Sequence, residues 1–306
     1  MPRQPIALRM LFLLCAVATG ACSDEGSGSN PSEPSFTDTG DNSDAAMDQD
    51  AALTQDAAVE PDTAGLNMLY IGHSFGRPFA NQLPEFTAGA GIENHMQQIV
   101  FSGGASGAPQ ALWDDTQDRE AAQAILDGGD VDVLVMICCS ESFLVDFSDP
   151  GIELWMDYAL SNNPDTRFVL AMPWVDFPED YADAAEVGAL WHPGHDAWHG
   201  LIDDLRGSYP GVSVTCLPHG HAAVELRERL EAGTLTDIDQ LRGPADEALH
   251  TDAKGHAGQM LRDVGSLTWL SAIYDVSIVN HPIAQQYEDD VVGIAEGIVA
   301  ADDHIR

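Results

Sequence analysis

The sequence predicts an α/β fold: a three-layer sandwich in which a parallel sheet is flanked by helices. Three observations carry this. Short apolar runs alternate with helix-length segments along residues 65–306. One run, Val131-Asp132-Val133-Leu134-Val135-Met136-Ile137, is nearly continuous, as in a strand buried on both faces. Small or turn-forming residues follow four of the five runs: Gly72, Ser102-Gly103-Gly104, Pro173 and Pro218.

The elements follow in order. Asn67 to Ile71 is an expected strand, and Phe79 to Thr87 the helix after it, interrupted by Pro84. Met96 to Phe101 is a second strand, and Arg119 to Leu126 is helical. After the third strand at 131–137 come a helix over Leu154 to Ser161 and a strand over Arg167 to Met172. His199 to Gly207 is a helix, Val212 to Leu217 a strand and Ala222 to Glu231 a helix. A long helix is expected from about Thr251-Asp252 to Tyr274. In such sheets the site lies beyond the carboxyl ends of the strands. That selects residues 72–76, 102–107, 138–142, 173–177 and 218–221.

The first 21 residues read as a secretory signal. Arg3 and Arg9 precede the apolar run Met10 to Ala18, which is too short to span a bilayer, and Thr19-Gly20-Ala21 follows. Thr-Gly-Ala-Cys resembles a bacterial lipoprotein lipobox, with Thr19 in place of the usual Leu. This resemblance implies lipidation of Cys22, and an exported chain anchored in the cell envelope at the outer membrane or cell surface. Residues 22–64 read as an acidic, disordered tether. Residues 23–64 hold eleven Asp and Glu and no Lys or Arg, too little apolar surface to repay ordering.

The remaining 65–306 suit one domain. Of the chain's formal charge of −38, thirty-nine acids against ten Lys and Arg fall here, a charge near −29. Such a field repels phosphates and argues strongly against a nucleic-acid partner. With Cys22 lipidated, Cys138, Cys139 and Cys216 remain, so this is no disulfide scaffold, and no paired Cys-x-x-Cys zinc pattern exists.

Gly72-His73-Ser74-Phe75-Gly76 matches Gly-x-Ser-x-Gly, the nucleophile elbow of α/β-hydrolases. In that fold several strands precede the elbow, whereas Ser74 follows the first expected strand. A serine there, in Leu69-Tyr70-Ile71-Gly72-His73-Ser74-Phe75, resembles the SGNH hydrolases over roughly residues 67–274. His73 departs from their Gly-Asp-Ser or Gly-Asn-Ser turn. Gly103-Gly104 stands in the second block. In the third, Cys138-Cys139-Ser140-Glu141-Ser142 lacks the family's Asn and shares Glu141-Ser142 with the carbohydrate O-acetylesterase branch. At the last block, Asp-x-x-His, stands Glu247-Ala248-Leu249-His250, with Glu in place of the Asp and Gly255 at the spacing the family shows.

The resemblance implies an SGNH or flavodoxin-like sandwich, a covalent acyl-serine and no cofactor. Ser74 is then the nucleophile, His250 its base and Glu247 the acid, with Asp246 as a shifted alternative. Backbone N–H groups of Ser74 and Gly104, with Ser140 in place of the missing Asn, are the expected oxyanion donors. Asp252 and His256 offer a rival acid and base; the expected helix cap at Asp252 sets His256 one turn inside the helix and turns it away.

A second histidine cluster, His192-Pro193-Gly194-His195-Asp196-Ala197-Trp198-His199 with His219 and His221, matches no zinc signature, and Pro193-Gly194 is expected to break helical His-x-x-x-His geometry. No metal is expected there; Trp191 and Trp198 read as an insertion beside the site. The expected substrates are small acyl esters, including O-acetylated carbohydrate. Two rival readings stay open: a non-catalytic surface binding lipoprotein on the same scaffold, and metal-dependent hydrolysis at the histidine cluster.

Overall fold

A computed structural model of the chain describes residues 64–137 and 149–306. The signal segment, Cys22, the tether and Ser140 lie outside the described residues.

Strand β1 (Asn67–Gly72) is buried along its whole length. Helix α1 (Arg77–Gly89) returns across the sheet to β2 (Met96–Phe101). Pro84 sits inside α1, where it cannot donate to the Ala80 carbonyl. The side-chain amide of Gln97 on β2 donates to that carbonyl instead, so the helix continues past the proline. Then come α2 (Pro109–Asp114), α3 (Thr116–Leu126), β3 (Val133–Ile137), α4 (Pro150–Asn162) and β4 (Arg167–Ala171). Helix α5 (Ala184–Ser208), β5 (Val214–Leu217) and α6 (His219–Glu231) complete the main sheet.

The five strands run parallel in the order β2-β1-β3-β4-β5. Successive side chains of a strand point to opposite faces, and the two cores divide on that rule. Met68, Tyr70, Val133, Val135 and Leu217 join one core, with Phe79, Leu226 and Leu267. Leu69, Ile71, Leu134, Met136 and Cys216 join the other, with Leu112, Trp155 and Trp198. Each fully buried apolar side chain contributes about 1.5–3 kcal/mol, and both faces bury them. The three-layer sandwich expected from the sequence is present.

Helix α5 is longer than the sequence suggested. It runs unbroken for 25 residues through Pro193-Gly194. Trp191 and Trp198, expected on an insertion, are buried in the core, and their indole N–H groups donate to the Pro173 and Leu170 carbonyls. These anchors on either side of Pro193 hold the helix through the lost hydrogen bond.

Beyond α6 a small sheet pairs β6 (Gln240–Arg242) with β7 (Ala248–His250). Helices α7 (Gln259–Tyr274) and α8 (Val291–Ala301) follow on the first core's side. Among the described residues no helix is long and apolar enough to cross a membrane.

Candidate active site

In a sheet of this order the strand order reverses at β1, and in open α/β sheets ligand crevices lie beyond the carboxyl ends of the strands at such a point. Ser74 lies two residues past β1, at that point. The Gly76 and Arg77 N–H groups both donate to the His73 carbonyl, and the Tyr70 hydroxyl donates to it at 2.7 Å. Tyr70 therefore lies under the turn, and this explains both motif glycines. A Cβ at Gly76 would meet the Tyr70 hydroxyl at 2.4 Å; one at Gly72 would meet Ile137 Cγ2 at 2.1 Å. Neither glycine has positive φ, so close packing requires them.

The residue facing Ser74 is His256. Its Nε2 is 2.9 Å from Ser74 Oγ, and its Nδ1 is 2.6 Å from Asp252 Oδ2. The structure thus joins Ser74, His256 and Asp252 in one relay. Burial pushes the Asp252 carboxyl up, but hydrogen bonds from His256 and Gly255 outweigh that and hold it below the ordinary carboxylate range. It stays an anion able to fix the imidazole tautomer and steady an imidazolium.

This corrects the expected assignment of His250 and Glu247. His250 belongs to β7 and is only 2% exposed. Its ring stacks on Trp174 at 6.3 Å, and its Nδ1 has no partner. Glu247 is exposed and accepts from Gln240 at 3.3 Å, and Asp246 is exposed beside it. Neither is joined to Ser74.

The helix start explains the difference. Asp252 does cap: its Oδ1 accepts from the Gly255 and His256 N–H groups. Yet the chain does not wind on. Thr251 N–H donates to the His256 carbonyl, and His250 pairs antiparallel with Ala257. Gly255 takes φ +97°, a value L side chains rarely adopt. Residues 251–256 therefore close a loop, α7 opens only at Gln259, and His256 stands in front of the helix rather than one turn inside it.

Trp174, which the sequence reading placed only in a strand-end loop, ties the two halves of the site together. It is 1% exposed and stacks on Phe75 at 4.6 Å and 10°. Its Nε1 donates to the Gly255 carbonyl at 2.8 Å. One indole thus packs against the serine turn and bonds the histidine loop. Lys254 is fixed from the same segment, its Nζ 2.8 Å from Asp176 Oδ2 and its carbonyl accepting from Phe177 N–H. The only signal for Trp174 was its place just after a strand end.

Gly104 opens a short turn after β2 with φ +57°. Gly72 pairs with Phe101, and Ser102 N–H donates to the Gly72 carbonyl, so this turn and the serine turn leave the sheet side by side. A Cβ at Gly107 would lie 2.7 Å from His73 Cβ, which shows how tightly the two turns pack. A cleft of about 440 Å³ opens beside Ser74, with Arg77, Asn81, Gln82, Thr251 and Arg262 in its wall.

Burial of two histidines behind the site sets a pH dependence. Burial pushes His250 down to about 4 and His219 down to about 3. Both stay neutral when folded, while an unfolded histidine takes up its proton near pH 6.5. Their contribution is complete above pH 6.5 and is lost as pH falls toward 4, at about 1.4 kcal/mol per pH unit for each group. Urea unfolding at pH 5 and pH 7 should show this loss, and His250→Gln should flatten it by one group's share. An unchanged slope in the variant would remove His250 as a cause.

Neither protein-family models nor curated protein sequences match this chain. Solved structures do. The chain is similar to a DUF4886 family protein from Bacteroides uniformis, at 13% identity and a TM-score of 0.53, covering 78% of this chain and 95% of that one. It also matches a protein from Slackia heliotrinireducens described as a candidate SGNH hydrolase, at 15% identity, TM-score 0.44, and 68% and 98% coverage. A third match is a Clostridium thermocellum family 3 carbohydrate esterase, at 12% identity, TM-score 0.41, and 69% and 99% coverage. The first of these likenesses shows that the α/β fold of this chain is one that solved proteins share.

Proposed function

We propose that this protein is a serine ester hydrolase working through an acyl-enzyme. The observation that carries the reading is the relay from Ser74 Oγ through His256 to the Asp252 carboxylate, set at the sheet's switch point. His256 Nε2 takes the hydroxyl proton as Oγ attacks the ester carbonyl. The tetrahedral oxyanion sits against N–H donors, for which the Ser74 and Gly104 backbones are the candidates; losing one such donor costs about 2.7–4 kcal/mol. The imidazolium then protonates the departing alkoxide, the alcohol leaves, and the acyl group stays on Ser74. Water, deprotonated by His256, attacks the acyl-serine, and the acid leaves as the proton returns to Oγ.

The cleft supports a small acyl group on a polar alcohol. Two of the domain's few cations, Arg77 and Arg262, stand in its wall with Asn81, Gln82 and Thr251. Such a wall offers hydrogen bonds to hydroxyls, as an O-acetylated carbohydrate would require. p-Nitrophenyl acetate should be turned over, and Ser74→Ala should abolish that turnover. A fluorophosphonate should label the peptide holding Ser74. Turnover that persists in Ser74→Ala would sink the proposal.

The reading includes export and a lipid anchor at Cys22, supported by the N-terminal sequence. Cys22→Ser should move the protein from the membrane fraction to the soluble one. A variant that stays with the membrane would argue against this anchor.

A further inference from the structure

Residues His195 and His199 lie four apart on α5, so their rings project from one face of the helix. That face meets the edge strand β5, where Cys216 is fully buried. The segment after α8 runs alongside: the Cys216 N–H donates to the His304 carbonyl at 2.8 Å. This brings in Asp302, whose side chain is 2% exposed. Its Oδ2 lies 2.9 Å from His195 Nε2 and 3.2 Å from His199 Nε2. Cys216 Sγ is 3.8 Å from His195 Nε2, and the four donor atoms all lie within 4.8 Å of one another.

We propose that His195, His199, Cys216 and Asp302 bind one divalent transition-metal ion of the zinc class. A tetrahedral ion with metal–N near 2.0–2.1 Å and metal–S near 2.3 Å sets its donors about 3.3–3.6 Å apart. The separations at this cluster bracket that range. Two imidazoles and a thiolate select a borderline-soft ion over calcium or magnesium. The surroundings also orient the donors. The His304 N–H fixes Asp302 Oδ1 at 2.8 Å, leaving Oδ2 for the centre. The Trp191 indole stacks on His195 at 4.6 Å and 22°, and His304 stacks on His199 at 3.9 Å and 14°. Four protein donors fill a tetrahedral shell, so the ion holds structure rather than water for chemistry. It fastens residues 302–306 to β5 and α5. The site uses none of the groups assigned to ester hydrolysis and stands apart from that reading.

The test uses untagged protein loaded with Zn²⁺ and dialysed into metal-free buffer. Elemental analysis should find about one zinc per chain, and the melting temperature should rise on loading and fall with chelator. Co²⁺ loading should give a near-ultraviolet thiolate-to-metal band, absent in Cys216→Ser. His199→Gln should weaken zinc binding at least tenfold, with circular dichroism reporting on its folding. A wild-type protein that keeps no zinc and melts at the same temperature with and without it would overturn the proposal. Zinc retention with no thiolate band would overturn the ligand set, moving the ion to the adjacent donors of His199, Asp302, Asp303 and His304.

Discussion

Replacing His256 by alanine should lower kcat for p-nitrophenyl acetate by about 10⁴-fold or more while the melting temperature hardly moves. Both halves follow from geometry. His256 is the ring nitrogen partner of Ser74 Oγ at 2.9 Å, and loss of a triad base typically costs this much. Its side chain is 34% exposed, so its removal leaves no large internal cavity. His250→Ala should behave in the opposite way. That ring is buried against Trp174, so the variant should melt earlier and keep most of its turnover. Asp252→Asn separates the acid's two roles. Asn can still accept from the Gly255 and His256 N–H groups, but it brings no charge to the imidazolium, so kcat should fall with the loop intact. An active His256→Ala beside an inactive, stable His250→Ala would break the assignment.

The second large effect is expected at Trp174. Truncating a buried tryptophan to alanine costs about 3–5 kcal/mol. For a domain of this size that is a fall of about 6–20 °C in melting temperature. Turnover should also drop by about tenfold or more in protein that is still folded, because the Gly255 carbonyl loses its donor and Phe75 loses its stacking partner. Trp174→Phe divides the two contributions. It keeps an aromatic face for Phe75 but no N–H for Gly255, so stability should return further than kcat. Equal recovery of both would mean that the hydrogen bond does nothing for the histidine loop.

The central strands were legible because burial on both faces makes them short, nearly continuous apolar runs, as at Val133 to Ile137. Ser74 was legible because its glycine-flanked turn follows the first such run. The base was not. Thr251-Asp252 carries a true capping signal, and Asp252 does accept from N–H groups three and four residues on. Whether a helix follows such a cap depends on what the next residues meet. Here the pairing of His250 with Ala257 and the left-handed Gly255 turn the chain back. The first is a bridge back onto the end of β7 and the second a backbone state, and a capping pattern encodes neither. Helix α5 failed for a similar reason. Pro193-Gly194 weakens the helix locally, while the carbonyls that accept from its two compensating tryptophans lie on β4 and the loop after it.

The tyrosine beneath the serine turn bears on how the Gly-x-Ser-x-Gly pattern is used as a marker. In an α/β-hydrolase elbow the strained turn itself accounts for the pattern. Here Gly76 has an ordinary backbone and is small because Tyr70 occupies the space where its side chain would go. The same five letters therefore arise from two unrelated steric causes, and a match to them says little about ancestry. The informative partner of Gly76 is position 70. Among descendants of this sequence, a shrunken residue at 70 would release the constraint at 76, and the two positions should change together. Gly72 should stay fixed, because Ile137 closes on it from the neighbouring strand as well.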